Sequence, residues 1–248
     1  MTRAERKHTV RGFSSVNRLR EQRSLRFVFP RELIECCFAV ATAEALGALC
    51  VVEGLQPFHI ELSVQEIFDN SQKLPENSHQ IFEDLPYRNS NRGAGKYIQD
   101  FGICEALDYP YRGRKAKKPR CTDRKFWQLK TATDENEILA EIRRCPIAGL
   151  VWGDDNLTEL GADEIYDPDP TQATKVRGHA VLITGYATIG GIPCYEVKNS
   201  WGIGWGAQGY GMIARRVMPK VVAFKSAYIE PAARTTNNGL ARRKMIRW

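Results

Sequence analysis

The run Gly178-His179-Ala180-Val181, followed by Lys198-Asn199-Ser200-Trp201-Gly202 and Trp205-Gly206, decides how the rest of the chain is read. His179 heads an apolar, β-branched run, so its ring is expected to project from a rigid strand and not from a loose loop. Asn199 opens a glycine-rich turn that also holds two tryptophans. A neutral amide can accept the Nδ1–H of a histidine, fixing its tautomer while still letting an imidazolium form. Indole rings beside that contact would shield it from water. A lone histidine in an apolar run reads as a core residue; this wider segment argues for a site.

Working upstream, Cys37–Val52 is rich in Ala and Leu, with no Pro and one Gly, and predicts a buried helix. Leu62–Phe68 predicts a short second helix, with Ser63 as N-cap and Glu66 three residues on. Ala94–Asp100 predicts a third, closed by Gly102, after a polar loop over Asp69–Asn91. Glu135–Arg143 places Ile138, Leu139 and Ile142 on one helical face. Beyond Pro146 the apolar runs are short and strand-like: Ile147–Trp152, Ala180–Tyr186, Cys194–Lys198 and Tyr210–Ala214. Ser24–Pro30 alternates as an extended entry segment. Helices first and strands afterwards predict an α+β fold in two lobes. The expected organisation is a basic arm over 1–26, a helical lobe over 27–130, a strand-rich lobe over 131–230 and a basic tail over 231–248.

Gly-His-Ala-Val…Gly-Tyr, then Val-Lys-Asn-Ser-Trp-Gly-x-Gly-Trp-Gly-x-x-Gly-Tyr, resembles the His and Asn regions of the papain-like cysteine peptidases. Cys37-Phe38-Ala39-Val40-Ala41 is similar to that family's nucleophile helix. Leu62-Ser63-Val64-Gln65-Glu66 resembles its Leu-Ser-Glu-Gln-Glu segment, and Tyr109-Pro110-Tyr111 its Tyr-Pro-Tyr turn. The similarity covers about residues 16–230. The Cys37-to-His179 separation of 142 residues fits the family window of about 130–150. The resemblance implies a helical lobe and a barrel-like, strand-rich lobe with a cleft between them. It also implies Cys37 as nucleophile at a helix N-terminus that favours thiolate. His179 would be the proton partner, Asn199 its orienting amide and Trp201 the cover over that contact. Leu150, Arg177 and Gly178 align with positions lining the family's substrate groove. Peptides or proteins are the implied substrates, and neither metal nor cofactor is called for.

The departures bear on activity. The family's oxyanion Gln, six residues before the nucleophile, is here Arg31, a donor of different reach. The Gly and Ser before the nucleophile are Glu35 and Cys36. A carboxylate beside the thiolate raises the thiol's pKa, and Cys36 is a rival nucleophile. The family's Gly-Gly loop is not recognisable between Asp69 and Ala94. Two readings follow: a cysteine endopeptidase, or a pseudo-peptidase retained as a binding or scaffold module. The seven cysteines, Cys36, Cys37, Cys50, Cys104, Cys121, Cys145 and Cys194, do not reproduce the family's usual bridges; Cys121 matches one half-cystine without its usual partner. All seven are therefore expected as free thiols. With no apolar leader at the start, the expected setting is intracellular, cytoplasmic before lysosomal or vacuolar.

The charge balance adds one more expectation. Lys and Arg number 36 against 29 Asp and Glu, a net +7. Residues 1–26 carry +6 and residues 231–248 carry +5, leaving the body between them at −4. The basic ends read first as solvated tails and second as a tether to nucleic acid or an anionic surface. No C-x-x-C pair suggests zinc or redox chemistry. No apolar run reaches the roughly 20 residues of a membrane span.

Overall fold

The computed structural model describes residues 36–55, 60–71, 90–114, 127–169, 177–218 and 220–225. The expectations for Ser24–Pro30, Arg31, Glu35 and the two basic ends fall outside these residues.

Helix α1 spans Cys37–Val52, as the composition requires. Phe38 to Cys50 is buried on almost every side, so this helix is central and not amphipathic. It packs against α2 (Val64–Asn70) and α3 (Asn91–Phe101) and against three strands of the sheet. Ser63 caps α2 as expected, its Oγ accepting the Glu66 N–H at 2.9 Å. Glu66 turns to the start of the next layer, accepting from Tyr97 Oη and from the Cys104 N–H, each at 2.9 Å. The Ser63 N–H donates to Cys104 O. Glu66 is thus a buried carboxylate that ties α2 to α3.

Helix α3 begins three residues before its expected start because Ser90 supplies an N-cap, accepting from the Gly93 N–H at 3.0 Å. Gly102 closes it at φ 72°, a left-handed conformation that glycine adopts without cost. Helix α4 (Glu135–Arg144) has Asp134 as its cap, with acids in the first turn and arginines in the last, matching the helix dipole at both ends.

Seven strands form one sheet in the order β1-β7-β2-β4-β5-β6-β3. They are β1 (Gln128–Ala132), β2 (Ile147–Gly153), β3 (Ile165–Tyr166), β4 (Arg177–Ile189), β5 (Ile192–Lys198), β6 (Tyr210–Ala214) and β7 (Lys220–Lys225). All neighbours are antiparallel except β3 and β6. A short α5 (Asp155–Thr158) follows β2. β1 opens at Gln128, where it pairs with Lys225 of β7. Strands β1, β3 and β7 and helix α5 escaped the sequence reading. β1 is half polar, β3 is two residues long, and β7 lies beyond the last run considered.

Two cores result. One combines α1, α2 and α3 with Ala148, Ala180, Leu182, Val222 and Phe224 from the sheet. The other lies around Ile142, Val181, Ile183, Tyr195 and Trp205. One sheet face therefore belongs to the helical half, and α1 forms the seam. The fold is α+β.

Cys104 is disulfide-bonded, with its partner outside the described residues. Cys36, Cys37, Cys50, Cys145 and Cys194 are free. The expectation of seven free thiols is thus corrected. It rested on the family's usual bridges, and Cys104 occupies none of their positions.

Candidate active site

Cys37 is the first residue of α1, and the N–H groups of Cys37 and Phe38 at that helix end act on its sulfur. Its Sγ accepts the Ala180 N–H of β4 at 3.5 Å, which places the thiol against the main chain next to His179. Cys36, one residue earlier, is only 3% exposed, whereas Cys37 is half-buried at the surface. Of the adjacent pair, Cys37 is the one that faces the strand carrying the imidazole.

Strand β4 holds His179 opposite Val151 of β2, three residues before its pairing with β5 begins at Leu182. The ring is 6% exposed and lies almost parallel to Trp201, centroids 4.3 Å apart at 24°. Its Nε2–H donates to Asn199 Oδ1 at 2.7 Å. The sequence expectation named the other nitrogen, Nδ1. With Nε2 engaged by Asn199, Nδ1 is the ring nitrogen left to exchange a proton. Asn199 Oδ1 also accepts the Ser200 N–H at 2.8 Å, and the Asn199 N–H donates to Gly209 O. Trp205 stands edge-on to Trp201 and donates from Nε1 to Leu157 O. Gly206 makes this turn possible: at φ 53° a Cβ would sit 2.2 Å from Tyr210 O.

Burial pushes the Cys37 thiol up from its ordinary value; the N–H groups of Ala180, Phe38 and Cys37 itself pull it part of the way back. Burial likewise lowers His179 to about 4, against the opposing hydrogen bond from Asn199. Both shifts favour the uncharged form, and one proton passing from Sγ to the ring creates both charges together. The helix dipole expected to favour thiolate is present, but burial outweighs it.

Leu150 is half-buried and pairs with Ala180, while Gly178 and Arg177 are exposed on the following stretch of β4. Arg31 is outside the described residues. The sequence reading missed Lys198. This side chain, immediately before Asn199, is buried and donates to Glu44 Oε1 on α1. Glu44 lies seven residues, or two turns, beyond Cys37, so the pair joins the thiol's helix to the amide's strand. Burial pushes the Glu44 carboxyl up and the Lys198 ammonium draws it back. Among the described residues no group of three or more His, Cys, Asp or Glu could hold a metal ion. No described helix is long and apolar enough to cross a membrane.

A thiol at the head of a central helix, facing a strand-borne imidazole held by an amide, defines a thiol-hydrolase type of site on an α+β frame. The family model of papain family cysteine proteases matches residues 19–230, and the chain belongs to that family. It is 32% identical to a pro-cathepsin H of Bos taurus over 72% of this chain and 53% of the relative. It is 27% identical to a cysteine protease of Blomia tropicalis over 72% of this chain and 54% of the relative. The chain thus spans about half the length of these curated relatives. Among solved structures, the bromelain protease of Ananas comosus in complex with the E64 inhibitor superposes with a TM-score of 0.65. That match has 19% identity and covers 83% of this chain and 96% of that one. A proCathepsin B of Trypanosoma congolense gives 0.67 at 16% identity, covering 90% and 80%. At these identities the structures bear on the fold alone.

Proposed function

We propose that the chain is a cysteine endopeptidase acting on peptides or proteins, with Cys37, His179 and Asn199 as its catalytic groups. Cys37 passes its proton to His179 Nδ1, and the thiolate attacks the peptide carbonyl carbon. The carbonyl oxygen becomes an oxyanion, held by the N–H groups at the start of α1 and by Arg31 in the role the family gives to Gln. Collapse breaks the C–N bond, and the imidazolium protonates the leaving amine, leaving a thioester on Cys37. A water molecule, deprotonated by His179, then attacks the thioester. This releases the acid and returns the proton to the thiol. Asn199 keeps Nε2 engaged so that Nδ1 alone exchanges the proton, and Trp201 shields that bond. Leu150, Arg177 and Gly178 line the groove.

The observation that carries this reading is the alignment of Sγ on the Ala180 N–H, the His179 ring, and Asn199 Oδ1 on the ring's far nitrogen. An epoxysuccinyl probe should label Cys37, with labelling and peptide hydrolysis both lost in Cys37→Ala and both kept in Cys36→Ala. A chain that neither labels nor hydrolyses ends the proposal.

One observation favours the second reading, a pseudo-peptidase that binds without cleaving: burial holds both partners in their uncharged forms. The rate of alkylation by iodoacetamide against pH separates the two. A thiolate–imidazolium pair alkylates well below pH 7, whereas an isolated buried thiol reacts only above the ordinary thiol range.

An intracellular setting is proposed with either reading, supported by the five free cysteines. The Cys104 bridge points the other way. A thiol count on protein isolated under non-reducing conditions, with the bridge intact or open, decides between them.

A further inference from the structure

From Cys37 to its C-cap Glu53, α1 carries two charged residues, and neither helps the helix itself. Glu44 sets a carboxylate among core side chains, which costs solvation. Glu53 stands at the C-terminal end, where the helix dipole disfavours an acid. Each acid finds its partner across the seam. Lys198, its side chain 2% exposed, donates to Glu44 Oε1. Arg144, the last residue of α4, donates to Glu53 Oε1 at 2.9 Å.

The two cations are themselves fixed. Lys198 ends β5, opposite Leu182 of β4 on one side and Tyr210 of β6 on the other. The Arg144 guanidinium also donates to Glu141 Oε2 at 3.0 Å and to Phe224 O of β7 at 2.5 Å. These posts meet α1 at residues 44 and 53, about 10 Å and about 24 Å along its axis from Cys37. Apolar packing supplies little of that register. Ala39, Ala41, Ala43, Ala45, Gly47 and Ala48 make much of α1 smooth. Short side chains form shallow ridges, and apolar burial has no direction, so neither strongly resists an axial slip.

We infer that Lys198–Glu44 and Arg144–Glu53 are positioning pairs for the peptidase reaction: together they fix how far α1 stands along the sheet, and so where its first residue holds the thiol beside His179. The inference rests on the peptidase reading for the reaction it serves. Neither pair touches the reacting atoms; each acts through the helix. Cys37 Sγ meets β4 through the Ala180 N–H at 3.5 Å, a contact that a small slip of α1 would open. A misplacement of about 1 Å at a reacting atom can cost about 10²-fold in rate. Fixing a register is also the best-attested use of a buried ion pair.

The test separates register from stability. Adding Glu44→Leu to Lys198→Met replaces the inner pair by apolar groups, so the urea midpoint should return towards that of the unsubstituted chain. Its kcat per titrated active site should still be about tenfold or more down, with KM changed by less than about twofold. At the outer pair, whose side chains are partly exposed, Glu53→Gln and Arg144→Met should each lower kcat about threefold or more. Alkylation of Cys37 by iodoacetamide at pH 7 is followed in every variant, because it breaks no peptide bond, and it should slow in step with kcat. Recovery of kcat together with the midpoint in the double variant would overturn the inference. So would outer-pair variants that leave kcat and alkylation unchanged, and these decide the matter if the double variant does not fold. If the unsubstituted chain cleaves no peptide, the endopeptidase reading falls and alkylation alone decides. Slower alkylation in the variants would then keep the register, and equal rates would remove it.

Discussion

The two sides of the site are held in different ways. His179 sits on a central strand of the sheet, opposite Val151 of β2, with an indole stacked on its ring and an amide on its far nitrogen. Cys37 stands at the end of a helix, and its sulfur meets the sheet through the Ala180 N–H. The imidazole is over-determined, whereas the thiol depends on where α1 begins and how far it lies from β4. Such a division suits the chemistry. In the proposed mechanism the ring keeps one orientation through two proton transfers, while the sulfur advances towards a carbonyl carbon.

The largest expected effect removes the weakly held partner. Cys37→Ala should lower kcat for peptide hydrolysis by about 10⁴-fold or more, because the covalent route disappears. Asn199→Ala should cost less, about 10²-fold, because the stack on Trp201 and the pairing with β2 still orient the ring. Rates on one fluorogenic peptide, corrected for active-site titre, measure both. If Asn199→Ala costs as much as Cys37→Ala, the imidazole is not over-determined and the contrast fails.

Much of this contrast could be read from the sequence, and the unread part has a common cause. The α1 span and the His179 and Asn199 segment were legible because composition, glycine placement and motif all lie along short contiguous stretches. Strand β7 was not, and neither was the turn of Glu66 towards Tyr97 and Cys104. Each depends on a partner distant in sequence: Leu129 opposite Phe224, or Glu66 beside α3. Trp152 was read only as the end of a strand, because its exposure opposite Gly178 exists only once β2 lies against β4. Lys198 was quoted within the motif, but its partner Glu44 lies in the helix that composition had marked as apolar.

That partnership supplies the next effect, on stability. Lys198→Met should cost about 3–5 kcal/mol, because it leaves the Glu44 carboxylate buried and unpaired on α1. Adding Glu44→Leu should recover most of the loss, since apolar side chains fill the seam without desolvating charge. Urea midpoints at constant m-value measure both steps. A double variant no more stable than Lys198→Met would show that packing, not the unpaired charge, sets the cost.

A third effect depends on pH. His179 has its pKa lowered to about 4 from an ordinary 6.5. Between these values the unfolded chain binds a proton that the folded chain refuses. The stability associated with this residue is therefore full above pH 6.5 and is lost as pH falls towards 4. At 1.36 kcal/mol per unit the limit is on the order of 3 kcal/mol. Between pH 7 and pH 5 the unsubstituted protein should lose more stability than His179→Gln. Carboxylates add a shared slope, so the difference between the two proteins carries the prediction. Parallel curves would place a charged imidazole in the folded site and remove burial as the dominant influence on it.

The smallest expected effect lies in the helical half, away from the seam. Ser63 accepts the Glu66 N–H at the start of α2 and donates its own proton to Tyr109 O at 2.7 Å. Ser63→Ala abolishes both bonds in a buried position. A lost cap typically costs about 1 kcal/mol, and the stranded Tyr109 carbonyl adds a further penalty of about 1 kcal/mol or more. A total near 2 kcal/mol should appear as a lower urea midpoint. The rate per folded molecule should not change, because α1 still begins at Cys37 and β4 still presents the Ala180 N–H. Asn199→Ala should show the opposite pattern, with a large loss of kcat and a smaller loss of stability. If Ser63→Ala slows Cys37 alkylation in molecules that remain folded, strain in α2 reaches the start of α1. The thiol would then depend on the packing of the whole helical half and not on its own helix alone.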